Sequence, residues 1–383
     1  MLTAHYDLRR HEHISELAKW MKLKNIPSGL AFGTRPYSLN ELTLICPDPF
    51  NQRYTKGLGD VVAALRGYTL GNKMPVFKKE NGSVILSVPD GDVKNSQTIA
   101  VSSWLTAEAS FVAAVMNEED PDALGRYQRL NRMLNHLLDN TDSASYLVLP
   151  ELALPAKWFI RIADKLKNKG ISLITGIEYL HASRKRVRNQ VWMSLTHDGL
   201  GFPSQVIYRQ DKQFPALHEE REIYRLNGVA IHPEKPWLTP PIIEHRNFRF
   251  ALMICSELTN IHYRAALRGK VDAVFVPEWN TDTETFNSLV EATALDIHAY
   301  VIQANDRQYG DSRVRSPAKE RYQRDILRVK GGIHDYCVTG VIDIEALRQF
   351  QSSHRSPAKP FKPVPDGFNQ DMAHARKALP EGE

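Results

Sequence analysis

Apolar and polar positions follow two rhythms along this chain. TIAVSS (98–103), SYLVLP (145–150) and ISLITGIEY (171–179) are apolar runs bounded by turn residues, whereas RYQRLNRMLNHLLDN and AKWFIRIADKLKNKG repeat their apolar positions at helical spacing. Strand, helix, strand, helix, strand is the order of an α/β layered domain. NQVWMSLTHDGL, PSQVIYRQ, FRFALMIC, DAVFVPEW, YVIQAND and YCVTGVIDI add six strand-like segments, so the pattern predicts a core of eight or more strands.

Ahead of this regular region the pattern is sparser. Residues 13–24 place Ile14, Leu17 and Met21 on one helical face, LTLIC at 42–46 is a short apolar run, residues 58–70 read as helical, and SVILSV at 83–88 reads as a strand. PDGDVKNSQ, rich in turn residues, then punctuates the chain. The expected organisation is an N-terminal extension or connecting segment over residues 1–95, of small α+β character, then a main domain over 96–355. From Ser356, SPAKPFKPVPDGFNQ is dense in proline, and residues 356–383 are expected to run extended over the surface or to be disordered.

Composition narrows the class. With 383 residues, 42% of them hydrophobic, the chain can bury a sizeable core. It carries no apolar run of about 18 or more residues, and MLTAHYDLRRHEH lacks the apolar stretch of a secretory signal, so no membrane association and a cytoplasmic location are expected. Cys46, Cys255 and Cys337 are too few and too scattered for a disulfide framework, which fits a reducing compartment. Forty-nine Lys and Arg against 44 Asp and Glu leave +5, an excess that permits a nucleic acid partner without arguing for one.

Three predicted strands end on reactive groups. SYLVLP runs into Glu151, PSQVIYRQ into Asp211 and Lys212, and FALMI into Cys255. Reactive side chains gather where apolar strands of α/β sheets run out, because rigid backbone there holds groups that open to solvent. A thiol must lose its proton to attack a carbonyl or nitrile carbon, and a nearby carboxylate can take it. An ammonium beside both would lower the thiol pKa and stabilise the oxyanion of a tetrahedral intermediate.

VLPE at 148–151, the lysine of YRQDKQFPALHEE at 208–220 and ICSEL at 254–258, in this order, resemble the nitrilase superfamily of carbon–nitrogen hydrolases. VFVPEW, YVIQAND and GDSRVRSP resemble further segments of that family, so the likeness spans roughly residues 97–345. It implies a four-layer αββα sandwich with Glu151 as general base, Lys212 as stabiliser of the tetrahedral intermediate and Cys255 as nucleophile. Glu219 stands where the family often has a second glutamate that positions the lysine, with Glu220 as the neighbouring alternative. Trp279, Asn280 and Glu257 are expected to bind substrate, and the implied partner is a small amide, carbamoyl or nitrile compound. The family also implies a homo-oligomer.

Departures from the family pattern bear on the substrate. Ser256 stands where an aromatic residue is common, and ATALDIHAY differs from a usual Arg-Ala pair. These features, with RVKGG at 328–332 and IEALRQFQ at 344–351, are similar to nitrilase-like domains fused to bacterial reverse transcriptases in phage defence, which implies a reverse transcriptase or nucleic acid partner. No Tyr-x-Asp-Asp polymerase signature occurs in this chain.

Each residue also has a plainer reading when taken alone. Cys255 would be a small core hydrophobe, Glu151 a helix N-terminal acid and Lys212 a solvated loop lysine, while Trp279 fits a core as well as a pocket. His5, His11 and His13 lack the companions of a metal set, so no metal is expected. SRKRVRNQ at 183–190 reads as a basic hairpin tip. No Gly-rich phosphate loop occurs and no cofactor is required. Two functions therefore stand side by side: a thiol-dependent carbon–nitrogen hydrolase, and a nitrilase-like scaffold or sensing module that assembles a defence complex.

Overall fold

Strands that are apolar on both faces have to lie between other layers, and this requirement shapes the molecule. The computed structural model describes residues 38–46, 48–51, 58, 75–88, 94–139, 144–183, 185–197, 203–353, 359–368, 372 and 376–377. The predicted helix at 13–24, most of 58–70, and His5, His11 and His13 lie outside them. One sheet orders β1 (Val76–Glu80), β2 (Ser83–Val88), β9 (Ile242–His245), β10 (Phe248–Leu252), β11 (Ala273–Pro277), β12 (Tyr300–Ala304), β13 (Ser312–Arg315) and β14 (Asp325–Val329). The other orders β15 (Tyr336–Asp343), β3 (Ser96–Ser103), β4 (Tyr146–Val148), β5 (Ser172–Ser183), β6 (Arg186–His197) and β7 (Ser204–Asp211), with β8 (Ala230–Ile231) paired to β6.

The period-two alternation of side chains sorts these strands into layers. Val101, Tyr146, Val148, Phe250, Phe275 and Ile302 meet between the two sheets. The residues that alternate with them point outward. Ala100, Leu147 and Leu173 pack under α3 (Ala123–Asp139) and α4 (Ala156–Lys167), while Ala251, Val274 and Val301 pack under α6 (Ile261–Leu267) and α7 (Thr283–Ile297). The result is a four-layer αββα sandwich, in which each fully buried Phe or Leu contributes about 1.5–3 kcal/mol. Among the described residues no helix is long and apolar enough to cross a membrane.

Two expected boundaries look different in three dimensions. The strands at 76–88, assigned from sequence to an N-terminal extension, are built into the larger sheet, because β2 pairs in parallel with β9. LTLIC lies in a helix, α1 (Leu39–Ile45), whose Ser38 backbone N–H is capped by Glu41 at 2.7 Å, and which packs against β7. Residue 95 therefore does not separate two bodies. Nor does the described part of the Pro-rich segment run loose. Phe361 is buried against Phe350 and His298, and Arg376 donates to Asp272 at 3.2 Å. Its aromatic rings and one guanidinium find partners in the body, which is why it packs despite its proline content.

The two sheets are stitched together where parallel strands run out. Glu151 N–H, beyond β4, donates to Glu278 O beyond β11 at 3.3 Å, and Asp306 beyond β12 accepts from Thr106 N–H beyond β3 at 2.7 Å. These carboxyl ends form the floor of a cavity.

Candidate active site

Glu151 reaches the cavity through a sharp turn after β4. Leu152, the next residue, holds φ at +57°, and Gly176 N–H on β5 donates to Pro150 O at 2.9 Å. A Cβ on Gly176 would stand 2.4 Å from Glu151 Cα, so only glycine lets the two backbones approach this closely. Cys255 opens a 3₁₀ turn, Cys255–Thr259, after β10, with φ at +49°. A non-glycine residue in this left-handed region stores strain that its surroundings must hold. Lys212 follows β7, its N–H fixed on Asn189 O at 2.9 Å. One carboxylate ties the last two turns together: Glu257 accepts from Ile254 N–H at 2.9 Å, just before the cysteine, and from Gln213 N–H at 2.7 Å, just after the lysine.

A buried ion network fills the floor. Lys212, 1% exposed, donates through Nζ to Glu151 Oε1 at 2.9 Å and to Glu219 Oε2 at 2.6 Å. Asn189 Nδ2 donates to both carboxylates, at 2.7 Å to Glu151 and 2.9 Å to Glu219. Glu219 stands in the first turn of α5 (Leu217–Asn227), where it also accepts from Tyr179 OH at 2.8 Å and Ala216 N–H at 3.2 Å. Trp279 N–H holds the second oxygen of Glu151 at 3.2 Å. Buried charges this well paired hold one geometry, and removing any one strands the others.

Electrostatics refine the expected role of the lysine. Burial pushes the Cys255 thiol well above its ordinary value, the Glu151 charge pushes it further, and Lys212 lowers it without overcoming them. The resting thiol is therefore protonated rather than a standing thiolate, contrary to the lowering expected from an ammonium alone. Burial raises Glu151, against the opposing charge of Lys212, which makes it the stronger base. Lys212 is itself held well above its usual range by Glu151 and Glu219, so it stays cationic. Glu278 is fully buried, and burial pushes it up to about 8; its Oε2 accepts from Gln303 Nε2 at 3.0 Å.

Glu151, Lys212, Glu219 and Cys255 line one cavity of about 220 Å³. Trp279 lines it as well, its ring stacked on Phe111 with centroids 4.5 Å apart. Asn280 and Glu257, expected to touch substrate, are not among the lining residues. Asn280 N–H is turned to Asn305 Oδ1 at 2.9 Å and its side chain accepts from Asp282 N–H at 3.0 Å, while both oxygens of Glu257 face backbone. Sequence reasoning missed Tyr179, Asn189 and Glu278 around the ion network, and Glu108, Phe111 and Tyr309 on the outer wall. The signal for Glu278 was present: it ends a strand in VPEW, as Glu151 does in VLPE.

This floor can hold a thiol, a base and a fixed cation around one small electrophile. Among the described residues no group of three or more His, Cys, Asp and Glu is arranged to hold a metal ion. No family model and no curated protein matches the sequence. Among solved structures, the chain is similar to XC1258 from Xanthomonas campestris, a CN-hydrolase superfamily protein with an arsenic adduct in its active site, at 14% identity over 66% of this chain and 93% of that one, TM-score 0.48. It is likewise similar to Nit3 from Saccharomyces cerevisiae, a member of branch 10 of the nitrilase superfamily, at 15% identity over 67% and 94%, TM-score 0.48. A third is the amidase from Nesterenkonia sp. AN1, a mutant of which was solved with butyramide, at 14% identity over 66% and 92%, TM-score 0.45.

Proposed function

We propose that the chain is a thiol-dependent hydrolase that cleaves a carbon–nitrogen bond of a small amide, carbamoyl or nitrile compound through a thioester on Cys255. The observation that carries this reading is the convergence of Glu151, Lys212 and Cys255, from three strand ends and both sheets, onto one small cavity. In the amide case, Cys255 Sγ attacks the carbonyl carbon while its proton passes to Glu151. The oxyanion so formed lies toward the Lys212 ammonium, whose charge is fixed before the reaction begins. As the C–N bond breaks, the leaving nitrogen takes the proton from Glu151 and departs as ammonia or an amine. Water then gives a proton to Glu151 and attacks the thioester, and the acid is released with the thiol restored.

Because burial and the Glu151 charge raise the Cys255 thiol, its proton has to leave for Glu151 before or as the sulfur attacks. Glu219 and Asn189 position Lys212 and Glu151 rather than react. The test is ammonia release from short aliphatic amides, with intact-mass spectrometry of rapidly quenched enzyme to find an acyl adduct on Cys255. Wild-type turnover that vanishes in Cys255→Ala, with the adduct seen only when the thiol is present, is the expected result; a Cys255→Ala variant that hydrolyses at the wild-type rate would sink the reading.

The finer reading places this hydrolase in the cytoplasm, as a homo-oligomer within a phage-defence protein that has a reverse transcriptase or nucleic acid partner. The defence role and its partner are supported by the sequence likeness carried by Ser256, ATALDIHAY, 328–332 and 344–351, and the homo-oligomer by the resemblance to the family. Light scattering on wild type and Cys255→Ala, beside plaque counts, separates the two roles. Loss of protection with unchanged assembly favours catalysis, and retained protection favours the scaffold.

A further inference from the structure

The outer part of the cavity is built differently from its floor. Its wall is aromatic: Phe111 stacks on Trp279, Tyr179 stands edge-on to Phe111 with centroids 6.0 Å apart, and Tyr309 stands edge-on to Trp279 at 6.1 Å. Two carboxylates outside the ion network, Glu108 and Glu222, also line it. Glu108 is the first residue of α2 (Glu108–Met116), is exposed, and has no salt bridge among the described residues. Glu222 comes from α5, which packs against α2, and shares its charge with Arg225 at 2.5 Å.

The balance of charge in this cavity is negative. Four carboxylates line it, Glu108, Glu151, Glu219 and Glu222, and the basic side chains among the described lining residues are Lys212 and His218. Lys212 is ion-paired with Glu151 and Glu219 on the floor, where it faces the reacting carbon, so it does not supply a counter-charge to an anionic group in the outer cavity. Glu108 also acts inward: after burial and the charge of Asp306, its charge helps push the Tyr309 phenol up. Aromatic faces beside a carboxylate with no ion-pair partner, as Glu108 is among the described residues, attract cations, since the ring quadrupole and the carboxylate act with the same sign.

Resting on the hydrolase reading, we propose that the substrate is an amide or carbamoyl compound carrying a cationic group, an ammonium or guanidinium. The outer cavity holds that group between Glu108 and the Trp279 and Tyr309 rings while the scissile carbon faces Cys255. A neutral substrate would leave Glu108 unused, and an anionic one would meet Glu108 with like charge.

Calorimetry on Cys255→Ala tests this without turnover, using three short probes: cationic 4-aminobutanamide, its neutral near-isostere pentanamide, and anionic succinamate. The cationic amide should bind about tenfold tighter than pentanamide, the margin of a partly exposed cation–π and carboxylate contact. That margin should shrink in Cys255→Ala/Glu108→Gln and at raised ionic strength, and succinamate should bind weakest. Equal, weaker or undetectable binding of 4-aminobutanamide, or a margin that Glu108→Gln leaves untouched, overturns the proposal. Wild-type turnover reads the hydrolase chemistry separately. A cation preference together with ammonia release that is unchanged in Cys255→Ala keeps the cation site and removes the hydrolase; Cys255-dependent cleavage that favours pentanamide does the reverse.

Discussion

Cys255 occupies a backbone conformation, φ +49°, that L residues with a Cβ enter at a cost of about 1–2 kcal/mol. That strain can be read directly. Cys255→Gly should be more stable than Cys255→Ala by about 1 kcal/mol in urea denaturation, although both lack the thiol; equal midpoints would mean that the turn is unstrained. Glu278 gives a second reading at this scale. Its carboxyl is neutral below about 8 and becomes a further negative charge above it, beside Glu151 and Cys255. Because the folded value lies above the ordinary 4.5, the folded state holds a proton that the unfolded chain releases, so stability falls as pH rises from 4.5 to about 8. Glu278→Gln should reduce that slope in melting temperatures measured against pH, most of all between about 7 and 8 where Glu257 no longer contributes, and should carry turnover further into alkaline conditions. At this scale the sequence was informative wherever a polar residue interrupts an apolar run at its end, as Glu151, Lys212 and Cys255 do. Asn189 was hidden because it lies inside the segment SRKRVRNQ, where four basic neighbours suggest only a solvated tip.

The elements that position the site depend on one close approach between strands. β5 passes behind the Glu151 turn with Gly176 at the contact, where a methyl group would meet backbone atoms rather than a yielding side chain. Gly176→Ala should therefore leave the protein folded but push Glu151 away from Lys212, lowering turnover about a hundredfold, as expected for a misplacement near 1 Å. Circular dichroism beside kcat separates displacement from unfolding, and wild-type turnover in a folded variant would refute the contact's role. The buried strands were legible because continuous apolar runs such as FRFALMIC leave little alternative. β1 and β13 were not, since VFKKE and SRVR carry their charge into the sheet and look like loops until partners appear. Arg249 shows the same logic on β10, where Glu80 and Glu244 neutralise it at 3.0 and 2.6 Å.

At the scale of the whole molecule, the layered α/β class followed from the alternation of strand and helix patterns, but the limits of the folded body did not. Residues 76–88 join the larger sheet through pairing with residues 242–245, a contact between distant parts of the chain that no local pattern announces. The C-terminal stretch is likewise anchored on a distant part of the chain, beyond its packing at Phe361. Asp272, fully buried, receives Arg348 at 2.6 Å and Arg376 at 3.2 Å, which joins the start of β11, α8 (Ile344–Ser352) and the far end of the chain. Removing that carboxylate leaves two buried guanidinium groups without a counter-charge, held only by the neutral acceptors of Asn247, Gly269 and Gln351. Asp272→Ala should cost about 3–5 kcal/mol in urea unfolding and release the C-terminal stretch to limited proteolysis. A loss under about 1 kcal/mol, as typical of surface pairs, would show that the anchor is dispensable.

Glu257 does not line the active-site cavity, yet its two backbone bonds tie the cysteine turn to the lysine turn. Burial pushes it up to about 7. As pH falls through that value the carboxylate gains a proton and can no longer accept equally at both oxygens, so the brace between nucleophile and cation slackens. With Glu278, this predicts an operating window bounded on the acid side by a brace and on the alkaline side by an unwelcome charge. Neither boundary belongs to a group that meets the substrate. Glu257→Gln, which keeps one acceptor at every pH, should flatten the acid side of the rate profile and leave the alkaline side alone, so that adaptation to a new acidity could proceed by altering these two carboxyls while the reacting groups stay fixed.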